Sequence, residues 1–297
     1  MRLSVVVPAT NRPPTLERCL AAIAAAGPDE LVVTEEATQP GPAAARNDGA
    51  ERATGDIVVF VDADILIHPD ALARIRARFT ERPDLVAVFG SYDDVVATEG
   101  DVAAFRNLLH HTVHQRSVGD VGTFWAGLGA IRRELFAEVG GFDATRYPHP
   151  SIEDIELGYR LAEHGPIELD GRILGTHLKE WTLGSMIATD FMRRGVPWVE
   201  LIRERGSAPT TLNFGGRERA SAVTALVSVY GLLARRPLLT GVALATEVAL
   251  NRDLFATIAR RRGLRGVAAG IPLHIVHQLT GGAAIPAGLL RSLTRGA

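Results

Sequence analysis

Residues Ile57 to Leu66 read IVVFVDADIL: an uninterrupted apolar run, two carboxylates separated by one alanine, then apolar residues again. An apolar run of this kind, bounded by polar residues, is the pattern of a strand buried on both faces in a helix-covered parallel sheet. On an extended backbone alternate side chains point the same way, so Asp62 and Asp64 would project together from one edge. In open α/β sheets ligands bind beyond the carboxyl ends of the strands, which is where this pair falls.

The pattern extends in both directions. Upstream, Ser4 to Val7 reads as a buried strand ended by Pro8, and Thr15 to Ala26 as a helix with apolar positions at Leu16, Cys19, Leu20 and Ile23. Glu30 to Thr34 gives a second strand and Ala43 to Ala53 a helix. Downstream come a helix over Pro69 to Phe79, a strand over Val86 to Gly90, a helix over Val102 to Val118, a strand-like stretch from Phe124 to Arg132 and an amphipathic helix from Ile152 to Glu163. This alternation predicts an α/β domain with a mostly parallel sheet and flanking helices. The run from Ser207 to Gly216, rich in Pro, Gly and Thr, reads as a linker, so the expected division is a domain over 1–212 and a helical appendage over 213–297.

The net charge of −2 over 297 residues hides an asymmetry: 21 of the 32 basic and 31 of the 34 acidic residues precede residue 213, leaving 11 and 3 behind it. Every basic residue of the second part is Arg, which suggests a segment drawn to anionic lipid; aromatic residues are sparse there, which argues against nucleic acid. Val223 to Ala234 and Leu238 to Ala249 are too short to cross a bilayer, which takes ~20 residues. Val267 to Leu290 is long enough but carries His274, His277, Gln278, two prolines and the Gly281-Gly282 pair. A single crossing over 220–250 would put Arg252, Arg260, Arg261, Arg262 and Arg265 on the wrong side for the positive-inside rule. The expectation is therefore interfacial helices on a membrane surface, the alternative being a helical subdomain packed on itself. The lone Cys19 and the strand-like start lead to an expected location on the cytoplasmic face of the cell membrane.

Three clusters could carry chemistry. Asp62 and Asp64 offer two hard oxygen ligands suited to Mg²⁺ or Mn²⁺, though the same residues occur as turn and capping groups. Asp154 follows Ser151 by three residues, an arrangement that serves equally as a helix cap or as a carboxylate presented to a cleft as general base. His177, Lys179 and Trp181 follow the strand over Arg172 to Gly175 with alternating spacing that would direct all three to one face. Lys179 is the sole lysine of the chain; it could neutralise phosphate or be solvated, His177 could complete a metal shell, and Trp181 could be core.

Taken in order, VVVPATNRP, GPAAARNDGA, VVFVDADILIHPDAL, FWAGLGAIRRELFAEVGGFD, SIEDIELGYRL and HLKEW span residues 5–181. Together they resemble the family 2 glycosyltransferases of the GT-A fold, of a membrane-associated bacterial type. The resemblance implies a nucleotide-binding loop at Pro8, Thr10 and Asn11, and a metal held by Asp62, Asp64 and His177, with Ala63 between the carboxylates at the donor diphosphate. It implies Asp154 as catalytic base, a loop with Trp125, Gly127 and Leu128 closing over the substrates, and donor contacts from Arg46, Glu153, Lys179 and Trp181. The activity so implied is metal-dependent, inverting transfer of a hexose-type sugar from a nucleotide-sugar donor to a glycan or lipid-linked hydroxyl.

One departure concerns the donor base. Where that family has an Asp-rich stretch after the second strand, this chain reads VVTEEATQPG, so Glu35 or Glu36 would contact the nucleoside. UDP is the default donor nucleotide, with GDP or dTDP as alternatives. A sugar-nucleotide pyrophosphorylase would share the architecture, but a Gly-rich amino-terminal loop ending in a basic pair is missing. A non-catalytic membrane scaffold is disfavoured by the intact Asp62, Asp64 and Asp154.

Overall fold

A computed structural model describes residues 1–206 and 215–295. These form two compact units, one of Met1–Ala97 with His114–Lys179 and one of Thr98–Val113 with the described residues of Glu180–Ala297. The linker read over 207–216 lies outside the described residues up to position 214.

In chain order the first unit contains β1 (Leu3–Pro8), α1 (Leu16–Ala25), β2 (Glu30–Thr34), α2 (Pro42–Arg52), β3 (Ile57–Val61), β4 (Ile65–Ile67), α3 (Ala71–Glu81) and β5 (Ala87–Tyr92). After α4 (Asp101–Arg116) follow β6 (Gly119–Val121), β7 (Leu128–Arg132), α5 (Arg133–Glu138), α6 (Glu153–Leu161) and β8 (Ile167–His177). The strands form one sheet in the order β2-β1-β3-β7-β5-β8-β4, with β6 also on β8. β1, β2, β3, β5 and β8 run one way, while β7, β4 and β6 run against them. The sheet is thus mixed, and β7 lies antiparallel between β3 and β5.

All five residues of β3 are buried, as its unbroken apolar run requires. Leu16, Cys19 and Ile23 of α1 and Leu72, Ile75 and Phe79 of α3 join it in one core cluster. Small residues let α2 approach β1 closely: a Cβ on Gly49 would fall 2.3 Å from Val6 Cγ1. Gly41, with φ 104°, opens that helix where a Cβ would meet the Pro148 carbonyl at 2.4 Å. Three readings are corrected. Phe124 to Gly127 is loop rather than strand. β8 starts earlier than Arg172, its register against β5 shifting between Phe89 and Ser91. It also ends at His177, so the alternation expected to align His177, Lys179 and Trp181 stops at the first of them.

The second unit holds α7 (Leu183–Ala188), a π-helical segment (Thr189–Gly195), α8 (Val196–Arg205), α9 (Gly216–Leu233), α10 (Pro237–Leu250) and α11 (Arg252–Arg295). α11 is broken at Gly263, whose φ of 65° is outside the helical region. α9 and α10 carry apolar side chains outward: Val223, Leu226, Tyr230 and Leu233 are 60, 61, 59 and 77% exposed, and Leu238 is 81% exposed. Their interior is polar. Glu247, wholly buried, accepts from His274 at 2.7 Å, from Ser221 at 2.7 Å and from Thr224.

Candidate active site

The site is built where the co-directional strands end. Pro8 closes β1 beside Thr34, Asp62 follows β3, Tyr92 closes β5 and His177 closes β8. Immediately after β3 the chain turns, Ile65 N–H donating to the Asp62 carbonyl at 3.0 Å, and re-enters the sheet as β4. β4 pairs with β8 so that Ile65 faces His177, and Leu178 N–H donates to the Asp64 carbonyl at 2.8 Å. That register places the Asp64 carboxylate 3.5 Å from His177 Nε2. The imidazole is buried and stacked on Tyr92, with ring centroids 4.2 Å apart and planes 10° from parallel.

Charge is distributed unevenly over the two carboxylates. Burial works to raise the Asp64 carboxyl, but the hydrogen bond and charge of His177, with the charge of Lys179, overcome it and hold the group below its ordinary value. Burial raises Asp62, assisted by the charges of Asp64 and Glu153, against the opposing pull of Arg46. Arg46 reaches from α2 with its guanidinium 2.6 Å from Asp62 and 2.9 Å from Glu153. It is buried, and its Nε has no hydrogen-bond partner among the described residues. Because Asp62 turns toward Arg46, Asp62, Asp64 and His177 do not converge, and no group of three metal-ligating side chains is present among the described residues. Asp64 and His177 by themselves form an oxygen and imidazole pair that fits a divalent cation such as Mn²⁺.

Asp154 lies in the first turn of α6, where Ile155 N–H donates to its Oδ1 at 2.8 Å and Ala126 N–H to its Oδ2 at 3.2 Å. Glu153 accepts from Ser151 N–H at 2.8 Å and from Arg46. The loop before β7 therefore touches both acidic motifs: Ala126 donates to Asp154, and the Gly127 carbonyl accepts from Asp62 N–H at 3.0 Å. Trp125 in that loop meets Tyr92 edge-on at 5.0 Å. Gly127 is fixed by this ring, since a Cβ there would stand 2.4 Å from the indole.

Pro8, Thr10 and Asn11 lie on the loop after β1, the last two exposed. Ala9 N–H donates to the Thr34 carbonyl at 2.8 Å, so this loop runs beside Glu35, which pairs with Arg12 at 2.5 Å. Ala63 is buried, its carbonyl accepting from Thr15 at 2.9 Å. Lys179 is exposed. Trp181 belongs to the second unit, where the Arg106 guanidinium lies 5.0 Å from its ring centroid. Two neighbours escaped the sequence reading, Arg12 and Tyr92. For Tyr92 the available signal was an aromatic residue at the carboxyl end of a strand predicted parallel to β3.

Residues 26–140 match the family model described as glycosyl transferase family 2. Over those residues the chain is similar to the family 2 glycosyltransferases. Curated relatives point the same way. A pre-mycofactocin glycosyltransferase of Mycobacterium tuberculosis is 30% identical over 165 residues, 51% of this chain and 34% of the relative, so the chain spans about a third of that protein's length. A glucosyl-dolichyl phosphate glucuronosyltransferase of Haloferax volcanii is 28% identical over 122 residues, 39% of each chain. Among solved structures, a mannosyltransferase of Pyrobaculum calidifontis, in complex with GDP-mannose and Mn²⁺, superposes with a TM-score of 0.56 at 18% identity, covering 94% of this chain and 86% of that one. The chain shares the fold of that glycosyltransferase.

Proposed function

We propose that this chain is a metal-dependent glycosyltransferase that moves a hexose-type sugar, with inversion, from a nucleotide-sugar donor to a hydroxyl on a lipid-linked or membrane-proximal acceptor. The observation that carries this reading is the loop shared by the two acidic motifs, with Ala126 on Asp154 and Gly127 on Asp62. It supports a site in which the donor diphosphate and the base act on one anomeric carbon. Asp154 takes the proton of the acceptor hydroxyl as its oxygen bonds to that carbon, while the bond to the diphosphate breaks and the nucleoside diphosphate leaves with the electron pair.

Asp64 and His177 would hold Mn²⁺ or Mg²⁺, joined by Asp62 once it leaves Arg46. When bound, the cation offsets the negative charge growing on the departing diphosphate. Arg46 pairs with Asp62 and Glu153 and orients both, and Lys179 adds positive charge beside Asp64. Pro8, Thr10, Asn11 and Glu35 line the nucleoside side, with UDP the favoured base. The solved mannosyltransferase bears GDP-mannose, and a curated relative acts on a glucosyl-dolichyl phosphate by name, which supports a nucleotide-sugar donor and a lipid-linked acceptor.

Catalysis is assigned to residues 1–212 and membrane association to 213–297, at the cytoplasmic face of the cell membrane. No helix among the described residues is long and apolar enough to cross a membrane. The inverted character of α9 and α10 supports attachment to its surface: apolar residues outward, a buried polar interior, and Arg235 and Arg236 at the turn between them. Such a face is costly in water and favourable in the interfacial zone of an anionic bilayer.

Release of nucleoside diphosphate from UDP-glucose, UDP-GlcNAc and GDP-mannose, measured with Mn²⁺ and with EDTA, tests the proposal. Turnover with at least one donor that EDTA abolishes is expected, with Asp154→Asn keeping donor affinity and losing transfer. Full activity in EDTA, or near-normal turnover of Asp154→Asn, would refute it.

A further inference from the structure

Within the second unit, the π-helical segment and helices α8, α9 and α11 line a cavity of about 760 Å³, within the roughly 300–1,000 Å³ of small-molecule sites. Trp198, Val199, Ile202, Ala222, Ile285 and Leu289 give it apolar walls. Gly281 and Gly282, the pair that interrupts the apolar run of α11, also line it, and a Cβ on either would meet no atom within 4 Å. The π-helical segment contributes Asp190, Arg194 and Gly195; π turns recur at functional sites.

The polar groups are sorted by sign. Asp190 is engaged, 3.0 Å from Arg106 and 2.8 Å from His277, and Glu218 faces Arg217 at 3.4 Å. Arg194, Arg203 and Arg219 border the same cavity and are exposed. Arg203 bonds the Ser292 hydroxyl, whereas Arg194 and Arg219 have no carboxylate among the described residues at ion-pairing distance. Apolar walls favour a hydrocarbon chain, and the exposed guanidiniums at the border, of which Arg194 also acts on the charge of Asp190, favour an anion attached to it.

We propose that this cavity binds the chain of a single-chain anionic lipid whose head group pairs with Arg194 and Arg219. Free phosphate would leave the apolar walls unused, and a neutral lipid would leave the guanidiniums unmatched. The inference stands apart from the sugar-transfer reading, so its test needs no turnover.

The full chain is titrated with cis-parinaric acid, with its uncharged methyl ester and with inorganic phosphate, and energy transfer from tryptophan is read, Trp198 being part of the wall. Saturable one-to-one binding of the acid is expected, with the ester about tenfold weaker and phosphate unable to displace the acid at equal concentration. Gly282→Leu, which adds a good helix former pointing into open volume, should keep or raise the melting temperature and weaken the acid about tenfold or more. Arg194→Gln with Arg219→Gln, both exposed, should weaken the acid to the level of the ester and leave the ester unchanged. Leu233→Asp, on the outward face of α9, should bind the acid as the parent does. The proposal is overturned if the acid does not saturate, if folded Gly282→Leu binds it like the parent, if the double Arg variant binds it undiminished, or if Leu233→Asp alone abolishes binding.

Discussion

The guanidinium of Arg46 lies 2.6 Å from the Asp62 carboxylate, buried under α2 while its other nitrogen holds Glu153. One cation thus neutralises an acid from each of two motifs far apart in sequence. Removing it leaves two carboxylates facing each other in a poorly hydrated place. Arg46→Ala should destabilise the first unit by about 3 kcal/mol, toward the lower end for a broken buried pair because Asp62 keeps 32% side-chain exposure. Urea unfolding checks this. The double variant Arg46→Ala with Glu153→Gln should recover part of the loss, since it removes one stranded charge.

Gly127 meets the Trp125 ring where a Cβ would be 2.4 Å away. Gly127→Ala must push the indole aside or shift the loop whose neighbouring amides touch Asp62 and Asp154. The expected outcome is a folded protein whose transfer rate falls by about 10²-fold, the size associated with misplacement on the ångström scale. Nucleotide affinity should change far less. A steady-state assay together with calorimetric titration of the nucleoside diphosphate separates the two.

Asp190 is held at a pKa of about 2: burial opposes its ionisation, but Arg106 and His277 outweigh that opposition. The unfolded chain therefore takes up a proton near its ordinary value of 3.8, while the folded chain does so only on reaching the lower one. The stabilisation is present above about pH 4 and is lost as pH falls toward 2, a loss of about 2 kcal/mol. Asp190→Asn should flatten the dependence of the melting temperature on pH over that window.

The outward face of α9 should govern partition to lipid without governing folding. Leu226→Asp with Leu233→Asp changes residues 61 and 77% exposed, so stability should move by no more than about 0.5 kcal/mol per site. Flotation with vesicles rich in phosphatidylglycerol should recover the parent with the lipid and the double variant in the dense fraction. Equal flotation of both would remove this face from the attachment.

Much of the sheet was legible because β1 and β3 are buried on both faces, so their sequences are uninterrupted apolar runs. Strand direction was not, since a run of buried residues reads the same whichever way it points; the antiparallel β7 and the short β4 emerged only with the pairing. At the site, the carboxylates were visible because their chemistry and their position after a strand coincide. The alignment of His177 with Trp181 failed because β8 ends at His177 and the alternation of an extended chain ends with it. The outward apolar residues of the tail were visible, but not its polar interior, since Ser221, Glu247 and His274 meet across three helices from separate stretches of sequence.

The pairing of Ile65 with His177 also bears on the order in which the molecule can mature. β4 is synthesised soon after β3, yet its only strand partner among the described residues is β8, the last strand of the sheet. A nascent chain ending before residue 177 can bury β1, β2 and β3 but lacks the imidazole that Asp64 faces. A slip of one residue in that pairing would turn His177 to the opposite face. Competence to bind a cation at this edge therefore arises late, when β8 docks, and in refolding experiments it should lag behind the burial of the amino-terminal strands.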